Sequence, residues 1–356
     1  MTVTARPAAH TRKRPRAIAP RSLRRRGLGL LVCVLALLIT VVAGLAVGAR
    51  SIPPGEVVAA LVGGPRTEGV SHDTLVVLDL RLPRTVIGLV AGACLGVAGA
   101  LVQAVTRNPL ADPGILGTTS GAAFALAIAA GFAGLATPVP QLLVAFVGAL
   151  VATVAVYAIG SLGHGGGSPV RLVLAGTALG AVLVGITNAI VLSDPARFSA
   201  MQAWRAGSLV DRGWTMLGPA LPFIAVGLVL AGAIAGSLNA VALGDDLAAA
   251  LGANVVLVRA VAIAAVTLLA GAATALAGPI AFVGLMVPHI ARWIVGPDQR
   301  WIVAYALLLG ATLLVVSDVV GRVVIPPAEV PAGIVTALIG GPVLIALVRL
   351  RTASEL

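Results

Sequence analysis

Arginines border two long apolar runs in this chain. Arg81 and Arg84 precede the largely apolar run 85–106, and Arg322 follows the run 301–321. A guanidinium group is always charged and can hold a carboxylate through two parallel hydrogen bonds. The three arginines therefore mark a membrane surface, where such groups can pair with acids. The alternative is that these long side chains only reach from helix ends toward water.

The segment 238–259 lies between two apolar runs and contains a glycine followed by two acids. This pattern is typical of a helix start, because acids are stabilised near the positive end of the helix dipole. A second glycine a few residues later is suited to end the helix. We expect a short exposed helix at one membrane surface, either docked on a partner or solvated without one. Its candidate residues are Gly244, Asp245, Asp246, Leu247, Leu251 and Gly252.

The sequence shows no arrangement of residues typical of an enzyme. Asp112, Asp318 and Glu329 fall near predicted helix ends, and no Ser/His/Asp group or carboxylate pair stands out. Lys13 is the only lysine, which excludes a Walker-type phosphate loop because that loop needs its lysine. The four histidines and two cysteines have no metal-ligand spacing. We predict no catalytic residue, no cofactor and no metal site.

Composition indicates the elements that hold these residues. Of the 356 residues 59% are hydrophobic and 10% are charged, against about 25% charged in soluble domains. Many apolar runs approach the ~20 residues that a helix needs to cross a bilayer, and the alternation of a β-barrel is absent. We predict an all-α polytopic membrane protein. The ten predicted spans are 27–49, 83–105, 118–137, 140–162, 171–192, 215–236, 258–278, 279–295 (short and broken), 301–321 and 332–349.

The net charge of +11 comes mostly from a basic N-terminal tail, residues 1–26, which holds nine of the 24 basic residues and no acid. Basic residues before a first apolar span keep that end in the cytoplasm and are attracted to anionic lipid. The tail therefore indicates membrane lipid and not nucleic acid as its partner. An even number of spans between residues 27 and 350 places the C-terminal residues 351–356 in the cytoplasm too.

A glycine ladder and a faint internal repeat predict close packing around an inverted pair of segments. Gly88, Gly92 and Gly96 lie four residues apart on one helical face, which lets another helix backbone approach closely. The segment 89–117 is similar to 268–296, at an offset of 179 residues. Five predicted spans separate the copies, and an odd number inverts the second copy, as in transporters built from inverted repeats.

Four separated motifs resemble one family of membrane proteins. They are RLPR…RNPLADPGILG, LGDDLAAALG, GPIAFVGLMVPHIAR and AEVPAGIVTALIGGPV. With them, residues 27–350 resemble the permeases of ATP-driven importers for iron–siderophores, haem and cobalamin. The resemblance implies the type II permease fold of ABC importers, with about ten transmembrane helices and an inverted pseudo-repeat, in a bacterial plasma membrane. It also implies cytoplasmic ATPase subunits, an extracytoplasmic substrate-binding protein and a second permease subunit, identical or paralogous.

The resemblance implies roles for particular residues as well. The implied docking residues for the binding protein are Arg81, Arg84 and Arg322. The implied ATPase-coupling residues are those of the short helix in 238–259. The implied gate or pore residues are Ser168, Pro169, Pro279 and Pro288. The expected function is import of an iron(III)–siderophore complex, the commonest cargo of the family. The alternatives are haem or cobalamin as cargo, or transport driven by an ion gradient.

Overall fold

A computed structural model describes residues 23–48, 50–63, 71–130, 137–161 and 169–352. These residues form fourteen α-helices and no strand. The helices are α1 (Leu23–Ala46), α2 (Pro54–Val62), α3 (His72–Leu75), α4 (Leu82–Thr106), α5 (Thr118–Ile128), α6 (Pro138–Ser161), α7 (Pro169–Leu192), α8 (Pro195–Arg205), α9 (Trp214–Ala242), α10 (Asp245–Ala250), α11 (Val255–Ala277), α12 (Val283–Val295), α13 (Gln299–Val324) and α14 (Ala332–Thr352). A π-helical segment, Val76–Arg81, joins α3 to α4, and a 3₁₀ turn, Pro113–Leu116, precedes α5.

The all-α polytopic architecture is confirmed. Seven helical stretches of the described chain are long and apolar enough to cross a membrane, and three shorter apolar helices lie at the remaining predicted spans. The main difference lies before α4, because one continuous helical stretch runs from His72 to Thr106. The helices α2 and α8 are additional to the predicted spans.

The central helix is α4, which packs against α13, α11, α12 and α9. The close backbone approach predicted for its glycine ladder is confirmed at Gly92 and Gly96, where the neighbour is α13, whereas Gly88 faces the side chains of Leu209 and Val315. A Cβ atom at Gly92 would lie 2.3 Å from the Gly310 carbonyl oxygen, and one at Gly96 would lie 2.2 Å from that of Ala306. Backbones this close leave no room for a side chain between the helices. The same close approach continues onto α12 at Gly99.

The helices α4 and α11 run antiparallel. Asp245 forms ion pairs with Arg107, which directly follows α4, and with Arg259, near the start of α11. The end of one helix therefore lies beside the start of the other, as the inverted repeat predicts. Each helix is followed by a non-helical break and then by a short helix. The breaks are 107–117, which contains the 3₁₀ turn, and 278–282.

The offset of 179 residues equates α4 with α11 but does not carry through the breaks. Pro109 lies in the turn after α4, whereas Pro288, its counterpart by sequence, lies inside α12. The repeat is therefore one of helix order and direction, and the breaks differ in length.

The bundle has two polar ends, which we name after one residue of each. The Arg81 end contains the end of α1, the start of α4 and the end of α13, because Arg81 and Arg322 both bond to the last turn of α1. The Asp245 end contains the start of α1, where Arg26 pairs with Asp298 before α13, and the helix α10. All the sites described below lie at these ends or between them.

The packing of α4 on α12 predicts that Gly99→Ala lowers the free energy of unfolding by about 1–3 kcal/mol, the usual cost of overpacking. The new Cβ atom would lie 1.9 Å from the Gly284 carbonyl oxygen. Chemical unfolding in detergent measures the change. Gly232→Ala is the matched control, since this exposed glycine of α9 has no atom within 4 Å of the added methyl. Equal stability of the two variants would contradict the packing.

Candidate functional site

Two of the predicted docking arginines hold the last turn of α1. Arg81 donates hydrogen bonds to the carbonyl oxygens of Leu45 and Ala46, at 2.9 and 2.7 Å. Arg322 donates to the Gly44 carbonyl oxygen at 2.7 Å. The last carbonyl groups of a helix lack partners within it, so these guanidinium groups satisfy them. Both arginines are buried as a result.

Asp318 links the other predicted arginine to this group. Arg84 binds it in a bidentate manner, with Nη2 at 2.7 Å from Oδ1 and Nε at 3.0 Å from Oδ2. Arg322 Nε donates to the same Oδ2 at 3.0 Å. The Asp318 side chain is only 2% exposed. Arg84 Nη1 turns toward solvent and donates to Glu329 Oε2 at 2.7 Å, and the Glu329 side chain is 30% exposed.

The three predicted arginines line one cavity of about 580 Å³, which we name the arginine cavity. Its charged lining residues are Arg50, Arg81, Arg84, Arg212, Arg322, Asp79, Asp211 and Glu329. Arginines outnumber acids in this lining, and a concave surface with one dominant sign of charge attracts the opposite sign. The cavity is therefore suited to carboxylates on a partner.

Arg212 is a lining residue that the sequence alone does not single out. Burial lowers the pKa of its guanidinium group, and the neighbouring Asp211 partly opposes that shift. Its Nε is buried without a hydrogen-bond partner among the described residues. The available signal is only its place just before the start of α9 at Trp214. Its position in the cavity follows from tertiary packing.

The two breaks meet deep inside the bundle. A Cβ atom at Gly284, the second residue of α12, would lie 2.7 Å from Pro113 Cδ and 3.2 Å from the Leu95 carbonyl oxygen. Because Leu95 lies near the middle of α4, the segment 107–117 turns back from the end of that helix to its middle. Non-helical backbone at membrane depth occurs only where it is buried in protein or lines a cavity.

A cavity of about 520 Å³ lies between the two breaks, and we name it the break cavity. Its lining includes Asp112, Thr119, Arg205, Pro279, Ala281 and Gly333. Asp112 Oδ1 accepts a hydrogen bond from the Gly114 N–H at 2.8 Å, and Arg205 donates to Asn188 Oδ1 at 2.9 Å. One carboxylate and one guanidinium thus line an otherwise mostly apolar space at the meeting point of two discontinuous helices. Transporters bind their substrates at points of this kind.

The expectation that Asp112 lies at the end of the bundle, and not at mid-depth, is wrong. The residue follows α4 closely in sequence, but the re-entrant course of 107–117 brings its neighbour Pro113 to the level of Leu95. A break that reverses direction is not visible from hydropathy, because the turn has few apolar residues.

The predicted gate and pore residues are dispersed in the fold. Pro279 lines the break cavity. Pro288 lies buried inside α12. Pro169 begins α7, and the structure describes its backbone position only. Ser168 lies outside the described residues. Of the two proline side chains that the structure describes, only that of Pro279 is at the candidate passage.

The short helix predicted in 238–259 is confirmed as α10. Glycines with positive φ flank it, Gly244 at +120° and Gly252 at +82°. The leucines at positions 243, 247 and 251 are 62%, 48% and 63% exposed. Leu247 and Leu251, four residues apart, lie on one face of α10 and form an apolar stripe at the surface, whereas Leu243 precedes the non-helical Gly244. Ala248, on a neighbouring face, is buried and packs α10 onto the bundle.

Asp245 does not cap α10, contrary to the simplest expectation for an acid at a helix start. Its Oδ1 accepts hydrogen bonds from Arg107 and from Arg259 Nη2, the latter at 2.9 Å. Arg107 also donates from Nε to the Val241 carbonyl oxygen at 2.9 Å, in the last turn of α9. The sequence does not identify these two arginines as site residues, because they lie 152 positions apart in the printed sequence.

A bundle with two discontinuous helices around an inner cavity, polar at both ends, is the architecture of a membrane transport permease. The chain belongs to the FecCD transport family, whose model matches residues 36–350. It is 46% identical over 319 residues to the ferric enterobactin transport system permease protein FepD of Escherichia coli K12, covering 90% of this chain and 94% of that protein. It is 44% identical over 277 residues to the iron(3+)-hydroxamate import system permease protein FhuB of Bacillus subtilis 168, covering 77% of this chain and 71% of that protein.

A solved structure supports the same class. It is described as an inward-facing conformation of a metal-chelate type ABC transporter, and it matches with a TM-score of 0.79 and 27% identity over 91% of this chain and 99% of that one. The type II permease fold expected from the sequence is therefore confirmed.

The buried ion-pair network predicts that Asp318→Ala lowers the free energy of unfolding by about 3–5 kcal/mol, since it leaves Arg322 charged, buried and unpaired. Chemical unfolding in detergent measures the change. Arg50→Ala is the control, because it removes an ion pair with Asp73 whose arginine is 71% exposed, and such pairs contribute about 1 kcal/mol at most. A small loss for Asp318→Ala would show that the network is not needed for stability.

Proposed function

We propose that this chain carries iron(III)–siderophore complexes inward through a bacterial plasma membrane, as the permease subunit of an ATP-driven importer. The observation that carries the ATP-driven part is the exposed apolar stripe of α10, at the end of the bundle opposite the arginine cavity. The names of relatives such as FepD and FhuB support an iron(III) chelate as the substrate. A hemin permease of Yersinia pestis, 37% identical, keeps haem as the alternative cargo.

The basic tail supports an orientation for the two ends. Arg26, the last residue of the tail, pairs with Asp298 at 3.2 Å, at the Asp245 end. Because a basic segment before a first span stays in the cytoplasm, the Asp245 end faces the cytoplasm and the Arg81 end faces outward. The helix α14 begins beside Gly321 at the Arg81 end and runs away from it, so the C-terminus returns to the cytoplasmic side.

Cytoplasmic ATPase subunits dock on α10 in this proposal. An amphipathic helix that presents leucines four residues apart fits the groove of a partner. Leu247 and Leu251 contact the ATPase, while Gly244 and Gly252 let the helix stand out from the bundle. ATP hydrolysis thus belongs to a separate polypeptide, in keeping with a single lysine outside any phosphate loop.

An extracytoplasmic binding protein docks at the arginine cavity. Complementary charge orients such a complex and raises its association rate. Arg81 and Arg322 are bonded to α1 and shape the cavity, whereas Arg84 reaches the surface through its pair with Glu329. A carboxylate on the binding protein replaces Glu329 at Arg84 when the two proteins meet.

The chelate then passes the break cavity. A second permease subunit, identical or paralogous, completes the passage, and Pro279, Pro288, Pro169 and Ser168 contribute to its gate. The position of Asp112 in the lining of the break cavity favours one competing function, transport driven by protons, because an ionisable residue deep in a bundle can serve as a proton carrier.

Uptake into liposomes tests the proposed function. The permease is reconstituted with its ATPase and binding protein, and entry of radiolabelled ferric enterobactin is measured, with ferric hydroxamate, ferric citrate and haem in parallel. We expect uptake that requires ATP hydrolysis and persists when the proton gradient is collapsed. Uptake without ATP, or uptake lost with the gradient, would overturn the proposal.

A variant with both Leu247→Ser and Leu251→Ser serves as a matched comparison in the same assay. We expect it to lose ATPase association and uptake together, while Leu80→Ser, an exposed leucine at the Arg81 end, keeps the association. Retained ATPase binding in the double variant would remove α10 from the docking surface.

The exchange at Arg84 predicts that Glu329→Gln strengthens docking of the binding protein. An exposed ion pair is worth about 0.2–1 kcal/mol, so the gain in affinity is up to about fivefold. Surface plasmon resonance at low salt measures it, with the permease in nanodiscs. Glu56→Gln, an exposed acid on α2, controls for the change in net charge. Weaker docking of Glu329→Gln would mean that Glu329 is itself a contact and not a competitor.

A further inference from the structure

The ion pairs of the short helix α10 all depend on one carboxylate, that of Asp245, among the described residues. Gly244 stands directly before α10 and Gly252 stands two residues after its end at Ala250; both have positive φ, and a Cβ atom at either would have no atom within 4 Å. Gly244 and Gly252 therefore leave α10 free to change its orientation relative to α9 and α11.

The first partner of Asp245 begins the segment that reaches the break cavity. Arg107 directly follows α4, with a left-handed backbone at φ +49°. Its guanidinium group joins the Val241 carbonyl oxygen at the end of α9 to Asp245 at the start of α10. The same segment then turns back into the bundle and places Asp112 in the lining of the break cavity. Arg107 and Asp112 thus belong to one short segment, so a displacement of Arg107 would also move this wall of the break cavity.

The second partner of Asp245 leads to the other break. Arg259 lies in the second turn of α11, and its side chain is largely buried. The helix α11 ends at Ala277, immediately before the break 278–282 that lines the opposite side of the break cavity. One carboxylate oxygen therefore holds α10 to both discontinuous helices at once.

We propose that Asp245 is the positioning residue that transmits movement of α10 to the two breaks. The inference rests on the proposed function, in which the ATPase docks on the leucine stripe of α10. Closure of the ATPase moves α10, the two arginines follow Asp245, and the walls of the break cavity separate or approach. Without this carboxylate, the flanking glycines absorb the movement, and ATP hydrolysis proceeds without opening the passage.

The test is the ratio of ferric enterobactin transported to ATP hydrolysed, measured in liposomes with the complete complex. Asp245→Asn keeps the shape of the side chain and removes its charge. We expect the ratio to fall about tenfold, within the usual range of coupling between sites, while ATPase association and hydrolysis stay at the parent level. Glu56→Gln is the control for the loss of one acid, because this exposed carboxylate of α2 lies far from α10, and it should keep the parent ratio. Asp245→Glu, which keeps the charge, should have a ratio close to that of the parent.

A double-mutant cycle with Arg107→Gln tests whether Asp245 and Arg107 act through their ion pair or independently of each other. In the parent the arginine variant should lower the ratio, and in the Asp245→Asn background it should add little. Arg107→Gln leaves the sequence of α10 intact, so it also tests this ion pair if Asp245→Asn assembles poorly. An unchanged ratio in Asp245→Asn overturns the inference, and so does weaker ATPase binding, which would make Asp245 a direct docking contact. If instead the parent complex shows no ATP-dependent uptake, the proposed function fails.

Discussion

Polar backbone groups inside a bilayer have no water to bond with, so each one must be satisfied by the protein itself. This chain contains two long departures from helical backbone at depth, 107–117 and 278–282. At Pro113 and at Gly278 the breaks are buried in protein, and α4 packs closely on α12 and α13 beside them. The glycines at 92, 96 and 99 allow this, since a single methyl at any of them would meet a carbonyl group of the neighbouring helix. Close helix packing is thus the condition on which the inner cavity depends.

The same constraint explains the arginines at the Arg81 end. The last turn of α1 leaves carbonyl groups without helical partners, and Arg81 and Arg322 supply them. Arg322 has its counter-charge in Asp318, which is buried beside it and also binds Arg84. Within this network Arg84 and Glu329 are the more exposed members. The network that satisfies the end of α1 therefore also presents the two groups at which we propose docking.

Contacts from both ends of the bundle lead to the two breaks. At the Asp245 end, a short helix is held by a carboxylate between two arginines, and each arginine belongs to a segment that leads to one break. At the Arg81 end, Gly333 bonds to the Gly207 carbonyl group beside Pro279, so the outer loops also touch the second break. Small residues at this crossing let backbone contact backbone, since a Cβ atom at Gly207 would lie 2.4 Å from the Pro279 carbonyl oxygen.

Much of this protein could be predicted from its amino-acid sequence. Hydropathy located the spans, the spacing of Gly88, Gly92 and Gly96 predicted a close helix neighbour, and the Gly244 to Gly252 pattern predicted α10. These features are local, because apolar length, helix period and glycine at a helix end act within a few residues. Only the tertiary structure decided which helix fills the glycine face, that 107–117 turns back to the level of Leu95, and that Arg107 and Arg259 share one oxygen of Asp245. Those outcomes depend on groups far apart in the chain, and no local pattern specifies which charges meet once the helices have packed.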